Sequence, residues 1–376
     1  MKKMIYADNA ATTQLDPAVL EAMMRWMQDE YGNASQPYSF ARAPKKALAD
    51  ARALIAECIN AKPEEIYFTS GGTESDNWAI KGSALADPDH RATITSQIEH
   101  HAVLHSCAAI ERLHYPVAYL PVDDSGTVLP ETLDRYISDQ TRLVSIMTAN
   151  NEIGTIQPIK ELAEIAHQHG AIFHTDAVQA VGHIKIDVQE LGVDMLSASA
   201  HKFNGPRGIG FLYIRDGVKL CPFMDGGAQE TKMRAGTENT AAIVGMAAAL
   251  KKNTDTLEQN TAHVMALEKL FLSEMDKAGI NYVRNGCNTL PGMLSLSFPG
   301  HSGETILHRM DLMGIYISTG SACNGSSDEV SHVLQALQLH EKVTKGTIRI
   351  SLGKNNTKEE VHILVQSLFS IAKRHL

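Results

Sequence analysis

Short apolar runs alternate with segments of helical period through the first two-thirds of the chain. Runs at 66–69, 92–95, 117–120, 143–146, 171–174, 195–197 and 209–214 are too short for buried helices and read as strands. Helical stretches such as residues 159–169 separate them. The alternation predicts an α/β fold whose mostly parallel sheet is covered on both faces. From about Asn239 to Ala278 the pattern is almost wholly helical, which suits a connector between domains. Beyond it the order becomes mixed α+β, with strands at 282–284, 293–298, 315–318 and 347–351, a helix over 302–313 and a closing helix. That last helix opens on a capping box, Thr357-Lys-Glu-Glu360, and sets Val361, Leu364, Val365 and Leu368 on one face.

Size and composition narrow the classes. A chain of 376 residues has room for two domains, and 44% apolar with 20% charged residues is ordinary for a soluble globular enzyme. The net charge of -9 leaves no basic stripe and argues against direct nucleic-acid binding. No apolar stretch approaches membrane-spanning length; residues 241–250 are too few and include Gly245. The start, Met1-Lys-Lys-Met-Ile-Tyr-Ala-Asp8, meets a polar residue too soon for a signal peptide. Cys58, Cys107, Cys221, Cys287 and Cys323 show no paired spacing. That fits a reducing cytoplasm, where a lone thiol can serve as a reagent.

The densest chemistry surrounds Lys202, in Ser197-Ala-Ser-Ala-His-Lys-Phe-Asn-Gly-Pro-Arg-Gly-Ile-Gly210, downstream of a strand ending His174-Thr-Asp176-Ala-Val-Gln179. A lysine between a histidine and a glycine-rich turn, with an acid at a strand end, is an arrangement that holds pyridoxal phosphate. The amine forms a Schiff base with the aldehyde, and the carboxylate keeps the pyridine nitrogen protonated so that the ring accepts electrons. Such a site works on an amino acid at or near its α-carbon. Gln179 could donate to the phenolic oxygen, and Asp176 could instead cap a helix, the commoner fate of an acid there. Gly71-Gly-Thr-Glu-Ser-Asp-Asn77 follows a strand and opens a helix, so its backbone could take the phosphate. Alone it reads as an ordinary turn; beside Ser199, His201 and Lys202 it reads as an anchor.

His100, His101 and His105 form a second polar group near Cys107. His101 and His105 are spaced as in some zinc sites, but no acidic ligand is adjacent, so an imidazole stacked on a cofactor ring and shuttling protons is favoured. Cys323 lies in Ile317-Ser-Thr-Gly-Ser-Ala-Cys-Asn-Gly-Ser-Ser-Asp-Glu-Val330, a composition that reads as a mobile loop and presents a usable thiol. The other four cysteines are expected to be structural. Arg349, on a predicted strand, would either clamp a substrate carboxylate or sit in an edge salt bridge.

Taken in order, these residues resemble the NifS/IscS-type cysteine desulfurases, class-V aminotransferase-like enzymes of pyridoxal phosphate fold-type I, in the subclass with the longer cysteine loop. The likeness runs from Tyr6-Ala-Asp-Asn-Ala-Ala-Thr-Thr13 to Ile348-Arg-Ile-Ser-Leu-Gly353. It includes Tyr31-Gly-Asn33, Thr69-Ser-Gly-Gly-Thr-Glu-Ser-Asp-Asn77, Glu99-His100, Asn150-Asn-Glu-Ile-Gly154, Arg234-Ala-Gly-Thr237 and the Cys323 loop. The ordered set, rather than any one motif, carries the resemblance.

The resemblance implies a large domain over residues 15–255 with a sheet of seven-stranded type that binds pyridoxal 5'-phosphate. Residues 1–14 with 256–376 would form a small α+β domain carrying the cysteine loop. It implies Lys202 as the Schiff-base lysine, Asp176 and Gln179 as ring contacts, and His100, not His101, as the stacked histidine active in proton transfer. Gly72, Thr73, Ser199 and His201 match the phosphate cradle. Thr237 matches a residue that reaches the phosphate from a second subunit, hence a homodimer. Asn151 and Arg349 match residues that hold the substrate, Arg349 on its carboxylate. The implied reaction converts L-cysteine to L-alanine while Cys323, as thiolate, takes the sulfur as a persulfide. A sulfur-acceptor protein of iron–sulfur cluster assembly or tRNA thiolation would then receive it. An ordinary thiol ionises near pH ~8.5, and a nearby cation such as His100 is expected to raise the ionised share. No metal is implied, although Cys323 could ligate a transferred iron–sulfur cluster.

The chain departs from the pattern at Asn33-Ala-Ser-Gln-Pro-Tyr38, where relatives often carry a histidine, and at Lys354, where arginine is commoner. Its close at Leu376 lacks an extension with which some relatives dock a scaffold, which leaves the acceptor open. The rivals are a selenocysteine lyase or β-lyase and an aminotransferase, neither of which requires Cys323. A silent docking subunit is a further rival, and it would have lost the lysine, acid or cysteine.

Overall fold

The structure is a computed structural model and describes residues 4–319 and 331–372. In chain order its strands are β1 Ile5–Tyr6, β2 Ile66–Thr69, β3 Ala92–Ser96, β4 Val117–Leu120, β5 Thr141–Ser145, β6 Ile172–Asp176, β7 Met195–Ser199 and β8 Gly210–Ile214. They continue with β9 Val283–Asn285, β10 Met293–Ser297, β11 Ile315–Tyr316, β12 Ser318–Thr319 and β13 Thr347–Ser351. One sheet has seven strands in the order β2-β8-β7-β6-β5-β3-β4. Neighbours run parallel except at β8, which is antiparallel to both β7 and β2. The seven runs expected as strands are the seven strands of this sheet, with ends moved by a residue or two.

Both faces of the sheet are covered, which is why its strands read as apolar runs rather than alternating ones. On one side the helix Arg42–Cys58 buries Leu48, Ala51 and Ile55 along one stripe, joined by Leu162 and Ala166 of the helix Ile159–Gln168. On the other side Trp78 and Ile80 of the helix Gly72–Leu85 pack with Val103 and Ile110 of the helix His101–Glu111. Each fully buried large side chain of this kind contributes roughly 1.5–3 kcal/mol.

A second, antiparallel sheet has the order β12-β13-β10-β9. Its core gathers Leu294, Ile348, Phe271 and Leu364. The long helical stretch proves to be two helices, Thr240–Asp255 and Leu257–Lys277, broken at Thr256. Ile243, Met246 and Leu250 of the first join the core under the large sheet, whereas Val264, Leu267 and Phe271 of the second join the core of the small one. The capping box forms as expected: Thr357 Oγ1 accepts from the Glu360 N–H at 3.3 Å, and Glu360 Oε2 accepts from the Thr357 N–H at 3.2 Å. Val361, Leu364, Val365 and Leu368 are buried.

Two expectations need correction. The run 315–318 is not one strand: β11 pairs with β1 in a separate two-stranded sheet, and β12 pairs with β13. The chain steps from one sheet edge to the next within it, leaving two pairs too short to show a period. Cys287 is exposed rather than structural, because it lies in the turn between β9 and β10 where Asn288 takes a left-handed φ of 46°. No helix among the described residues is long and apolar enough to cross a membrane.

The N-terminal segment ties the two sheets together. Asp8 bridges to Ser351 at the end of β13, and the Thr13 N–H donates to the His201 carbonyl at 2.9 Å.

Candidate active site

A cavity of about 570 Å³ opens beyond the carboxyl ends of β6 and β7 and is walled by residues of both the large and the small sheet. That is where open α/β sheets place their ligands, and the volume is that of a small-molecule site. Lys202 reaches it from the turn after β7, with Nζ donating to the carbonyls of Ala10 at 2.6 Å and Ala11 at 3.0 Å. Asp176 ends β6; its Oδ1 accepts from the Val178 N–H at 2.9 Å, so the acid braces its own turn while lining the cavity. Gln179 lines it too, and its Nε2 donates to the Ala10 carbonyl at 2.9 Å.

The helix Gly72–Leu85 starts at the cavity without a side-chain cap, so its positive end and first-turn amides face the pocket. A Cβ at Gly72 would lie 2.4 Å from Val178 Cγ2, closer than atoms allow, so glycine there leaves Val178 its place in the wall. Thr73, Ser199 and His201 line the same region, with His201 Nδ1 and Thr12 Oγ1 3.1 Å apart. Arg349 comes from β13 of the small sheet, and Asn151 from the turn that follows β5 of the large one. Arg349 is buried on β13, an interior strand, so it is no edge residue. Its Nη1 donates to the Asn151 carbonyl at 2.7 Å and its Nη2 pairs with Asp8 at 2.8 Å, while Nε has no partner. Thr237 is exposed and absent from the cavity wall, and Cys323 lies outside the described residues.

His100 caps the helix His101–Glu111 with its side chain, Nδ1 accepting from the Ala102 N–H at 3.1 Å. Burial, and then the charge of Lys202, push its pKa down to about 4. At neutral pH the ring is therefore uncharged with its proton on Nε2. This corrects the expectation of a His100 cation beside the thiolate. His101 and His105 do share a helix face, their rings 5.1 Å apart, and His332 adds a third ring 4.8 Å from His101 that no spacing could reveal. The first two rings lie within 30° of parallel, so their lone pairs run alongside rather than converge. Among the described residues, the donor atoms that do converge are those of Asp76, His100 and Asp176, within 4.8 Å of one another.

Several wall residues escaped sequence reasoning. Asp8 and the Ala10 and Ala11 carbonyls hold Arg349 and Lys202, and only the tie between opposite ends of the chain puts them there. Asp76 and Glu99 are buried acids beneath the site. Glu99 Oε1 accepts from Ser96 Oγ at 2.6 Å and the Met147 N–H at 3.1 Å, and burial pushes its pKa up to about 8. Glu152, beside Asn151, accepts from the Ser331 hydroxyl, and burial raises it to about 7.

A family model described as aminotransferase class-V matches residues 5–364. A curated relative from Methanosarcina thermophila, named cysteine desulfurase IscS, is 48% identical over 375 residues, covering 99% of this chain and 93% of that protein. A solved NifS-like protein superposes with a TM-score of 0.93 at 37% identity, covering 98% of this chain and 99% of that one. A structure described as SspA in complex with cysteine gives a TM-score of 0.83 at 36% identity, over 94% of this chain and 100% of the other. The fold-type I architecture expected from the sequence is the one these share. Matched over nearly its whole length at this identity, the chain belongs to the class-V aminotransferase family, among the cysteine desulfurases.

Proposed function

We propose that the cavity binds pyridoxal 5'-phosphate and L-cysteine, and that the protein releases L-alanine while its own Cys323 takes the sulfur. The observation that carries this is the convergence of Lys202, Asp176, His100 and Arg349 on one cavity of about 570 Å³. The residues suit the cofactor: an amine, a carboxylate fixed by a backbone N–H, and an uncapped helix start with a glycine at its first position. When bound, the cofactor supplies an electron sink for the amino acid's α- and β-carbons. Asp176 would hold the pyridine nitrogen, Gln179 the phenolic oxygen, and Gly72, Thr73, Ser199 and His201 the phosphate.

The chain's own groups divide the remaining work. Arg349 and Asn151 orient the substrate, with the guanidinium on its carboxylate. Lys202 Nζ moves the α-proton. Neutral His100 presents Nε2–H, a donor rather than an acceptor so long as Nδ1 stays on the Ala102 amide. The Cys323 thiolate attacks the substrate sulfur; an S–S bond forms, the C–S bond breaks, and the released electron pair ends in a C–H bond of alanine. The persulfide then passes its sulfur to an acceptor protein serving iron–sulfur cluster assembly or tRNA thiolation.

A homodimer would let Thr237 of the partner subunit complete the phosphate cradle. An exposed stripe of Leu20, Met24 and Met27 on the helix Pro17–Gln28 supports such an interface. The two apolar cores support the expected division into a large domain, residues 15–255, and a small one, residues 1–14 with 256–376. Unpaired Cys58, Cys107, Cys221 and Cys287 suit a reducing cytoplasm. The deciding experiment is Cys323→Ala: the yellow cofactor absorbance is retained and alanine formation from cysteine is abolished. Full turnover in that variant would remove the persulfide step.

A further inference from the structure

Beneath the cavity, the helix Gly72–Leu85 brings a second carboxyl up to Asp176. Asp76 is 1% exposed, lines the cavity floor, and its Oδ1 has no hydrogen-bond partner. One oxygen each of Asp76 and Asp176 and a ring nitrogen of His100 lie within 4.8 Å of one another. Two carboxylates so close in a buried site do not both ionise, and one keeps a proton.

We propose that Asp76 is a positioning residue, a neutral carboxylic acid that directs its proton toward Asp176 and leaves Asp176 the single negative charge that would hold the pyridine nitrogen. The surroundings of each acid decide which holds the proton. Asp176 accepts from the Val178 N–H and faces the positive charge of Lys202. Asp76 has the Ser197 hydroxyl as a partner and faces two acids, Asp176 and Glu99. His174 Nε2 lies 3.8 Å from Asp76 Oδ1 but gives no charge: fully buried, its pKa is pushed down to about 3. The imidazole is instead held between two hydroxyls, Ser145 Oγ at 2.8 Å and Ser197 Oγ at 2.9 Å. The result is a buried polar relay, Ser145–His174–Ser197–Asp76, that ends on the acid beside the cavity. Burial and the charge of Asp176 raise the Asp76 carboxyl well above the usual range, in accord with that geometry.

A small side-chain rotation or one bridging water spans the gap between the two acids. A donor aimed at Asp176 fixes which way its carboxylate points, and because the pair holds one proton, keeping it on Asp76 keeps Asp176 ionised. The role rests on the proposed cofactor, but the proton on Asp76 does not, and the test separates them. Infrared difference spectra of apoprotein at neutral pH, wild type minus Asp76→Asn, are expected to show one protonated-carboxyl band that the variant lacks. No such band means an ionised Asp76 and overturns the proposal. In holoenzyme, Asp76→Asn keeps a neutral donor and should retain kcat within about threefold, whereas Asp76→Ala should lose about tenfold to a hundredfold in kcat with KM for cysteine little changed. Equal losses in both variants overturn the positioning role. A carboxyl band without cofactor binding by the wild type would sink the functional reading instead.

Discussion

Replacing Glu99 by glutamine is expected to stabilise the apoprotein, and increasingly so as pH rises. The side chain is wholly buried, with Oε1 satisfied by Ser96 and Met147 and Oε2 without a partner. Glutamine keeps the shape and the accepting oxygen. Unfolded, the glutamate ionises at its ordinary 4.5; folded, burial holds its proton to about 8. Between those values the native state binds more protons than the unfolded one, so stability is greatest below the unfolded pKa and is lost as pH rises toward 8. Each pH unit across the window costs about 1.4 kcal/mol, so the whole window costs about 5 kcal/mol. Urea denaturation of both apoproteins at pH 4, 6 and 8.5, at one fixed protein concentration, reads the difference. The advantage of Glu99→Gln over wild type should widen from pH 4 to pH 8.5 by up to about 5 kcal/mol. A constant offset across that range would refute the idea that Glu99 is buried as a neutral acid.

Two further outcomes follow from the geometry. Gly72→Ala sets a methyl group 2.4 Å from Val178 Cγ2, and overpacking of that kind costs about 1–3 kcal/mol. Cofactor affinity, followed by absorbance titration, should therefore fall more than the melting temperature does. Arg349→Ala should lower kcat/KM for L-cysteine about tenfold to a hundredfold, chiefly through KM, with Arg349→Lys recovering only part because the planar fork is lost. L-Cysteine methyl ester, which has no carboxylate, should be turned over equally by wild type and Arg349→Ala; an equal loss with the ester would contradict carboxylate binding.

The seven strands of the large sheet were legible because each is apolar on both faces and bounded by helix-period sequence. Two-residue strands such as β1 and β12 carry no period and could not be seen. Lys202, Asp176 and the glycines at 71 and 72 were legible because their chemistry sits at element ends, where the chain composition changes. Asp76 and Glu99 lie among ordinary polar residues, and nothing local distinguishes a buried acid from a solvated one; only tertiary packing does so, Asp76 against β6 and β7 and Glu99 against Ser96 and the Met147 amide. The charge state of His100 is hidden from the sequence for the same reason. Its capping bond to Ala102 and its burial are properties of the fold rather than of the residue's neighbours in sequence.

The pairing of β1 with β11 couples residues 5–6 to residues 315–316, far apart in the order of translation. Emerging from the ribosome, residues 5–11 have no sheet to join until Ile315 has been made. Lys202 meanwhile lacks the firm hold that the Ala10 and Ala11 carbonyls give it in the finished protein. Assembly of the reactive centre thus waits on a pairing between distant parts of the chain, a long-range closure that folding must complete before Lys202 is held.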